Sequence, residues 1–169
     1  NLMARILMTL PVEWHELAQR FHHVVGRLAG RHELVVLAPR SHKRLVAARA
    51  FGELVRPWTR EQLPHGVTLF SVATLPFYRR HPRLVRRQWA SFPARLGRAA
   101  QAAGGAFDVL WLADPGHGPL ADHVPHRKLL YECVDDHQGF WPDHGLGAEV
   151  RAQETALARR ADLVVATAP

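Results

Sequence analysis

The sequence of 169 residues has almost no cysteine and no long apolar run, and each lack excludes a class of protein. Cys133 is the only cysteine, so neither a disulfide framework nor a cysteine-based zinc site can form. No apolar run approaches the roughly 18–20 residues that cross a bilayer, and no signal peptide precedes the first apolar segment. We therefore expect a single cytoplasmic domain of ordinary globular composition.

Acidic residues are missing from one long segment. Between Glu61 and Asp108 there is no Asp or Glu, although the whole chain has 15 acidic residues, 22 basic residues and a net charge of +7. The cations of that segment are Arg79, Arg80, Arg83, Arg86, Arg87, Arg95 and Arg98. A GC-rich genome explains richness in arginine but not the missing acids. The pattern indicates an anionic partner: phospholipid, lipid-linked phosphate or nucleic acid. The arginines that we expect to contact it are Arg79, Arg80, Arg83, Arg86 and Arg87.

Short apolar runs alternate with helical patterns along the chain. The runs are nearly continuous in Val, Leu and Ile, which is typical of parallel strands covered on both faces. They predict strands at residues 5–9, 33–38, 67–72, 108–113, 128–134 and 162–167. Helical spacing predicts helices at 17–29, through Leu45, Val46 and Leu54, at 85–100, between 113 and 128, and at 148–161. The sequence thus predicts an α/β, Rossmann-like doubly wound parallel sheet of six to seven strands.

The predicted helix at residues 85–100 contains a proline. Pro93 lacks a backbone N–H and should kink or split the helix. Ser91 would then cap the second piece.

Motifs for nucleotide cofactors and for hydrolases are absent. A dinucleotide fold needs Gly-x-Gly-x-x-Gly directly after the first strand, but residues 9–14 contain no glycine. Residues 116–118, Gly-His-Gly, follow a later strand and lack the third glycine. The chain has no Walker loop, and its three serines lie in no nucleophile elbow. These absences exclude an NAD or FAD enzyme, and we expect no bound cofactor.

Twelve histidines raise the question of a metal site. The run from His15 to Gln19 begins like a zincin helix, but glutamine stands where the second histidine is required. His117, His123 and His126 would meet only if a short helix folded them together. Because zinc sites use tighter paired spacings, exposed histidines are the better interpretation, and we expect no metal.

Two adjacent carboxylates and a histidine follow the fifth predicted strand. Ligands of open parallel sheets bind outside the carboxyl ends of the strands, so Asp135, Asp136 and His137 are candidate site residues. A carboxylate there can accept a hydroxyl proton or hold a sugar hydroxyl. A pair of turn or capping aspartates is an equally weighted alternative. We expect Asp136 to face the site and Asp135 to hold the turn.

Glu154 falls on the apolar face of the last predicted helix, between Val150 and Leu157. A buried carboxylate needs partners, because ionisation without them is costly. We expect Glu154 to anchor the helix by pairing with an arginine or with backbone donors.

Three stretches resemble the N-terminal domain of family 4-type retaining glycosyltransferases with the GT-B fold, especially bacterial enzymes of cell-surface polysaccharide and teichuronic-acid type synthesis. The stretches are Pro11-Val12-Glu13-Trp14 with Gln19-Arg20, Tyr131-Glu132-Cys133-Val134-Asp135-Asp136, and Glu154-Thr155-Ala156-Leu157 followed by Ala161-Asp162-Leu163-Val164. The resemblance covers most of the chain. Glu132 stands where the family has Asp, and the first loop lacks the glycines that many family members place near the donor phosphates.

The resemblance implies transfer of a sugar from a nucleotide-sugar to a saccharide or lipid-linked acceptor, without a metal. Residues 1–169 would form the N-terminal acceptor-side domain, inactive alone, and a C-terminal domain outside this chain would bind the donor. The protein would work on the inner face of the membrane. Asp135, Asp136 and His137 would face the cleft as catalytic residues. The acceptor-binding residues would be Trp14, His15, Asp114 and His117.

Two other functions fit parts of the sequence. A nucleic-acid-binding module would use the cations and rings of residues 77–89. Helical spacing instead puts Trp89 and Phe92 on one face with Val85 and Leu96, which favours entry into the core or a membrane over base stacking, so we expect no nucleic acid. Half of a nucleotide-sugar epimerase would share the two-domain fold.

Overall fold

A computed structural model describes residues 3–16, 20–41, 56–137 and 145–166. Within these ranges seven strands form one mostly parallel sheet in the order β3-β4-β2-β1-β5-β6-β7. The strands are β1 (Arg5–Thr9), β2 (Glu33–Arg40), β3 (Trp58–Leu63), β4 (Val67–Ala73), β5 (Phe107–Leu112), β6 (His126–Cys133) and β7 (Leu163–Ala166). The predicted Rossmann-like doubly wound α/β fold is confirmed.

Three α-helices lie in the described ranges, on both faces of the sheet. They are α1 (Arg20–Leu28), α2 (Pro82–Ala102) and α3 (Gly147–Arg160). Helix α1 buries Phe21 and Val25 in a core with the even-numbered residues of β1 and β2. Helix α2 buries Phe92 and Leu96 on the opposite face, where α3 and a 3₁₀ helix (Pro115–Asp122) also pack. None of the described helices is long and apolar enough to cross a bilayer.

The apolar runs of the sequence do not predict β3. This strand pairs antiparallel with β4, to which a 3₁₀ turn (Pro64–Gly66) connects it, at the edge of the sheet. Arg60, Glu61 and Gln62 are exposed, so β3 lacks the apolar run by which the other strands were recognised. Charged side chains on an edge strand oppose pairing with other chains. The predicted sixth strand is therefore the seventh of the sheet, and the predicted helix through Leu45 to Leu54 lies outside the described residues.

Helix α2 continues without a break through Pro93, so the prediction of a split was wrong. A proline inside a helix removes one backbone hydrogen bond, but its ring can still be packed. Pro93 is buried beside Phe92, so its ring packs on the core face of α2. Ser91 caps no second helix; its hydroxyl accepts a hydrogen bond from Arg95.

Arg5 joins several elements at the amino-terminal ends of the strands. Its guanidinium pairs with Glu33 of β2 at 2.8 Å and donates to the carbonyl oxygens of Ala103 and Ala106, beyond the end of α2. The carbonyl end of a helix carries partial negative charge, so this cation is favourably placed. Gly104 makes the approach possible, because its φ is +110° and a Cβ there would lie 2.7 Å from Arg5 Nη2.

We predict that Arg5→Met lowers the free energy of unfolding by about 1–3 kcal/mol, since it leaves half-buried carbonyls and Glu33 without their donor. Urea denaturation followed by circular dichroism measures the loss. The matched control is Arg127→Met, because the Arg127 side chain is 83% exposed and reaches Asp108 only at 3.5 Å. An equal loss in both variants would contradict the assigned role of Arg5.

Candidate functional site

The site lies where the order of strands reverses. From β1 the chain passes to β2 on one side and later returns to β5 on the other, with Thr9 paired to Leu37 and to Leu112. The loops after β1 and β5 therefore diverge and leave a crevice at the carboxyl ends of these strands. Open α/β sheets bind their ligands in such a crevice.

A small cavity, here called the inner pocket, occupies this crevice. Its volume is about 60 Å³, which admits only a few water molecules or the edge of a small ring. The loops after β1, β4 and β5 line it together with the end of β2, α2, α3 and the turn after β6. The lining residues are Pro11, Pro39, Thr74, Tyr78, Arg79, Gln88, Trp89, Phe92, Asp114, Pro115, Gly116, His117, His137, Val150 and Gln153.

His117 forms a buried wall of the inner pocket. Its Nδ1 lies 3.0 Å from Thr9 Oγ1, and its ring packs against Phe92 with the centroids 5.6 Å apart. Burial lowers the pKa of His117; Asp114 opposes this shift and His137 reinforces it. His117 is therefore neutral at pH 7. Because Thr9 engages Nδ1, Nε2 is the nitrogen that remains to bond a ligand.

Asp114 holds the loop that carries His117. Its carboxylate accepts a hydrogen bond of 2.7 Å from the Gly116 amide, as an N-cap does at the start of a helix. A Cβ at Gly116 would lie 3.1 Å from both Asp114 Oδ1 and the Trp89 ring. Glycine at this position thus lets Trp89 of α2 approach the β5 loop and close one side of the inner pocket.

Sequence reasoning missed three pocket residues on the helices. Gln88 is 4% exposed, and its Oε1 accepts from the Leu75 amide and from Arg95. Gln153 Oε1 is buried, and no described residue donates to it. Trp89 was expected to enter the core or a membrane, and the structure shows it half-buried in the wall of the pocket. Glutamines at helical positions carry no motif, so only the three-dimensional arrangement could identify them.

A second cavity, here called the outer groove, adjoins the inner pocket. It has a volume of about 290 Å³ and shares Pro11, Pro39, Thr74, Tyr78 and Arg79 with the inner pocket. The other residues that line it are Val12, Glu13, Glu16, Ser41, Leu75, Phe77 and Arg80. The combined space falls at the lower end of the range of small-molecule sites, which begins at roughly 300 Å³.

Of the residues predicted to be catalytic, only His137 lines the inner pocket. It is 7% exposed, whereas Asp135 and Asp136 are exposed on the same turn and lie outside the pocket wall. The Asp135 carbonyl oxygen accepts from the His137 amide at 2.9 Å. Asp135 thus holds the turn through its backbone, and Asp136 is the exposed residue before the pocket-lining His137.

The predicted acceptor-binding residues divide into two pairs. Asp114 and His117 line the inner pocket. Trp14 instead packs on the other face of the sheet, with its ring 4.1 Å from that of His22, and His15 lies 2.9 Å from Glu61 of β3. The first loop reaches the cavities through Pro11, Val12 and Glu13 rather than through these two residues.

The five arginines expected to contact an anion also occupy different places. Arg79 and Arg80 line the outer groove. Arg83 and Arg87 are exposed on α2. Arg86 forms a two-pronged ion pair with Glu149 of α3, which raises the pKa of Arg86 and lowers that of Glu149. An acid distant in sequence therefore neutralises one cation of the acid-free segment.

Glu154 has partners, but they are neither arginine nor backbone groups. Its Oε1 accepts from the Tyr131 hydroxyl at 2.7 Å and from the Cys133 thiol at 3.3 Å. Burial, reinforced by the hydrogen bond to Glu154, raises the pKa of Tyr131 and of Cys133. Both groups are therefore protonated donors at neutral pH. Glu154 ties α3 to the end of β6, close to the turn that carries His137.

Glu132 belongs to the opposite face of β6 and is 2% exposed. Its two carboxylate oxygens lie 2.6 Å from Arg20 of α1 and 3.0 Å from the Trp111 indole nitrogen. Glu132 therefore fixes α1 to the sheet rather than lining either cavity.

The three histidines considered for a metal do not meet. His117 is buried in the pocket, His123 is exposed, and the His126 ring lies 2.7 Å from the Val124 carbonyl oxygen. Among the residues that the structure describes, no three His, Cys, Asp or Glu side chains group as metal ligands would.

Comparison with known proteins gives no family. Neither the models of known protein families nor the curated proteins contain a match to this chain.

We predict that His117 makes stability fall in mild acid. The pKa of folded His117 lies below its unfolded value of about 6.5, so the unfolded chain takes up the proton first as the pH falls. The free energy of unfolding therefore falls by at most about 1.4 kcal/mol per pH unit below pH 6.5, until the pKa of folded His117 is reached. Urea denaturation at pH 7.5, 6.5 and 5.5 measures the slope.

His117→Asn should flatten that slope, since the amide keeps a polar group beside Thr9 Oγ1 but does not titrate. The control is His65→Asn, an exposed histidine with a φ of +60° that asparagine tolerates well. Its slope should equal that of the wild type. Identical slopes in all three proteins would show that His117 does not titrate as inferred.

Proposed function

We propose that this chain is the acceptor-binding half of a glycosyltransferase that extends a cell-envelope or other polysaccharide. The observation that carries the proposal is the inner pocket at the β1–β5 crevice, where neutral hydrogen-bonding groups lie beside one basic and one acidic side chain, Arg79 and Asp114. His117 is uncharged, and Gln88, Gln153 and Thr74 add amides and a hydroxyl. Such groups suit sugar hydroxyls, which both donate and accept hydrogen bonds. The sequence resemblance supports the same assignment.

The proposed reaction needs an acceptor hydroxyl, a donor sugar and a leaving nucleoside diphosphate. The hydroxyl oxygen bonds to the anomeric carbon of the donor sugar while the bond from that carbon to the diphosphate oxygen breaks. The hydroxyl proton passes to a base or to the departing diphosphate. His117 Nε2 and His137 would orient hydroxyls in the pocket, and the exposed Asp136 would face the incoming donor. A second domain would bind the nucleotide, as the resemblance implies.

The structure gives less support to the alternative of a nucleic-acid-binding module. Base stacking would need rings on an exposed cationic surface. Phe92 is buried and Trp89 packs against Gly116 inside the pocket wall, so of these rings Phe77 alone, 46% exposed and 4.5 Å from the Arg80 guanidinium carbon, meets that need. Half of a nucleotide-sugar epimerase would have the same fold. Assays of sugar transfer distinguish an epimerase from a glycosyltransferase.

The first test is a pair of substitutions in the complete enzyme. Asp136→Asn should lower turnover with UDP- or GDP-sugars about 10²-fold, the usual scale for a positioned acid–base or orienting group, with little change in melting temperature. Asp135→Asn is the matched control, because Asp135 holds the turn through its carbonyl oxygen. It should keep both turnover and stability.

Transfer of radiolabelled sugar and differential scanning calorimetry provide the two readouts. Full turnover in Asp136→Asn would remove Asp136 from the site. Absence of transfer by the wild-type enzyme, with every nucleotide-sugar offered, would overturn the proposed function.

We also propose that the exposed face of α2 binds an anionic membrane. Arg83, Arg87 and Arg98 are exposed along this helix, and the acid-free segment supplies no carboxylate beside them. Arg86 is bound to Glu149 and contributes less. Each basic residue near an anionic surface adds about 1 kcal/mol of attraction, which salt screens.

Flotation with phosphatidylglycerol vesicles should recover the protein at low salt and lose it at high salt. The double variant Arg83→Gln/Arg87→Gln should reduce recovery several-fold, because each change removes about 1 kcal/mol. The neighbouring change Arg86→Gln should have a smaller effect. Equal recovery with phosphatidylcholine vesicles, or an equal loss of recovery in the double variant and in Arg86→Gln, would contradict the proposal.

A further inference from the structure

We infer that the acceptor is a chain of at least two sugar rings, with one ring edge in the inner pocket and the next ring on Phe77 in the outer groove. This inference rests on the proposed function and deepens it, because it names the class of acceptor. Three features of the outer groove carry it: the conformation of Phe77, the pairing of its charges and the wall that it shares with the inner pocket.

Phe77 occupies a backbone conformation that phenylalanine disfavours. Its φ is +52°, in the left-handed region where glycine or asparagine is the usual residue, and it follows Pro76 in a turn. Its side chain is 46% exposed, so packing in the core does not explain the choice. Left-handed non-glycine residues cluster at ligand sites, where the surrounding fold maintains them. The left-handed backbone places the Phe77 ring at the groove.

The Phe77 ring is held beside Arg80. The guanidinium carbon lies 4.5 Å from the ring centroid, and the Arg79 guanidinium likewise lies 5.7 Å from the Tyr78 ring. Stacked guanidinium and aromatic groups make a preorganised flat surface with hydrogen-bond donors at its edge. The C–H-rich face of a pyranose packs on such a ring while its hydroxyls bond the donors.

The charges of the outer groove favour a neutral ligand. Arg79 and Arg80 are matched by Glu13 and Glu16, so the lining has no net charge. Glu13 is already held by the Ser41 amide at 2.8 Å. A phosphate or uronate in this groove would meet these carboxylates, whereas a neutral sugar would use both signs for its hydroxyls.

The two cavities adjoin and are unequal in size. They share Tyr78 and Arg79 in their walls, so neighbouring rings of one ligand could lie one in each. The inner pocket of about 60 Å³ holds no whole ring, whereas the outer groove of about 290 Å³ does. A single ring in the inner pocket would leave Phe77 unused. A second ring accounts for the groove and for the disfavoured conformation.

The test measures glycan binding to the chain by saturation-transfer NMR and calorimetry. The probes are methyl glycosides of glucose, galactose, mannose and N-acetylglucosamine, with the corresponding di- and trisaccharides. Disaccharides should bind about tenfold more tightly than single rings, and Phe77→Asn should remove that gain. Asparagine tolerates the left-handed backbone, so its melting temperature should equal or exceed that of the wild type. Phe77→Tyr keeps the ring and should keep the gain.

The results that would contradict the two-ring inference differ from those that would contradict the proposed function. Equal affinity for one and two rings, or a gain that survives Phe77→Asn, would overturn the two-ring inference and leave the proposed function intact. A marked fall in the melting temperature of Phe77→Asn would assign Phe77 a structural role and likewise overturn the inference. Absence of binding to every glycan would overturn the saccharide site itself, and with it the proposed function.

Discussion

The pairing of β1 with β5 is the constraint on which the rest of the site depends. These strands are about 100 residues apart in the chain, yet four residues of each are in parallel register, from Ile6 with Val109 to Thr9 with Leu112. Because the loops that follow them diverge, a crevice opens at their ends. The hydrogen bond between Thr9 and His117 spans it at 3.0 Å. The position of His117 is thus a consequence of sheet topology.

The sequence predicted most of the sheet because buried parallel strands are apolar along their whole length. Six strands could be recognised in this way, whereas β3 could not, since half of its residues are charged or polar and exposed. A split of α2 at Pro93 was wrongly predicted for a related reason. Local rules assign proline to helix ends, but burial beside Phe92 on the core face outweighs one lost hydrogen bond. Tertiary packing decided both elements, and a single sequence does not contain it.

The site was less predictable than the fold. Asp114, His117 and His137 could be found because strand ends and loop polarity point to them. Trp14 and His15 could not be placed, because the side-chain directions in the first loop depend on contacts with His22 and Glu61. Gln88 and Gln153 belong to helices and enter the pocket only because α2 and α3 cross the same crevice. Helical spacing cannot separate a residue that faces the core from one that faces a cavity within it.

The two ends of the parallel strands differ in the interactions that the side chains make there. At the amino-terminal ends, charged groups make many favourable contacts: Arg5 with Glu33, Lys128 with Asp162, and the Leu129 amide with the same Asp162. The pairing with Lys128 lowers the pKa of Asp162, so this contact weakens only in strong acid. At the carboxyl ends of the strands, by contrast, several features lower the stability of the fold.

His117 is desolvated at these ends, a buried oxygen of Gln153 receives no donor from the described residues, and Phe77 adopts a disfavoured conformation. None of these features improves stability, and each would be removed by a simple substitution. Stabilising contacts at the opposite ends can offset them, because a domain's net stability is a sum over the whole structure. Costly features that gather at one crevice are typical of a functional site rather than of a fold selected for stability alone.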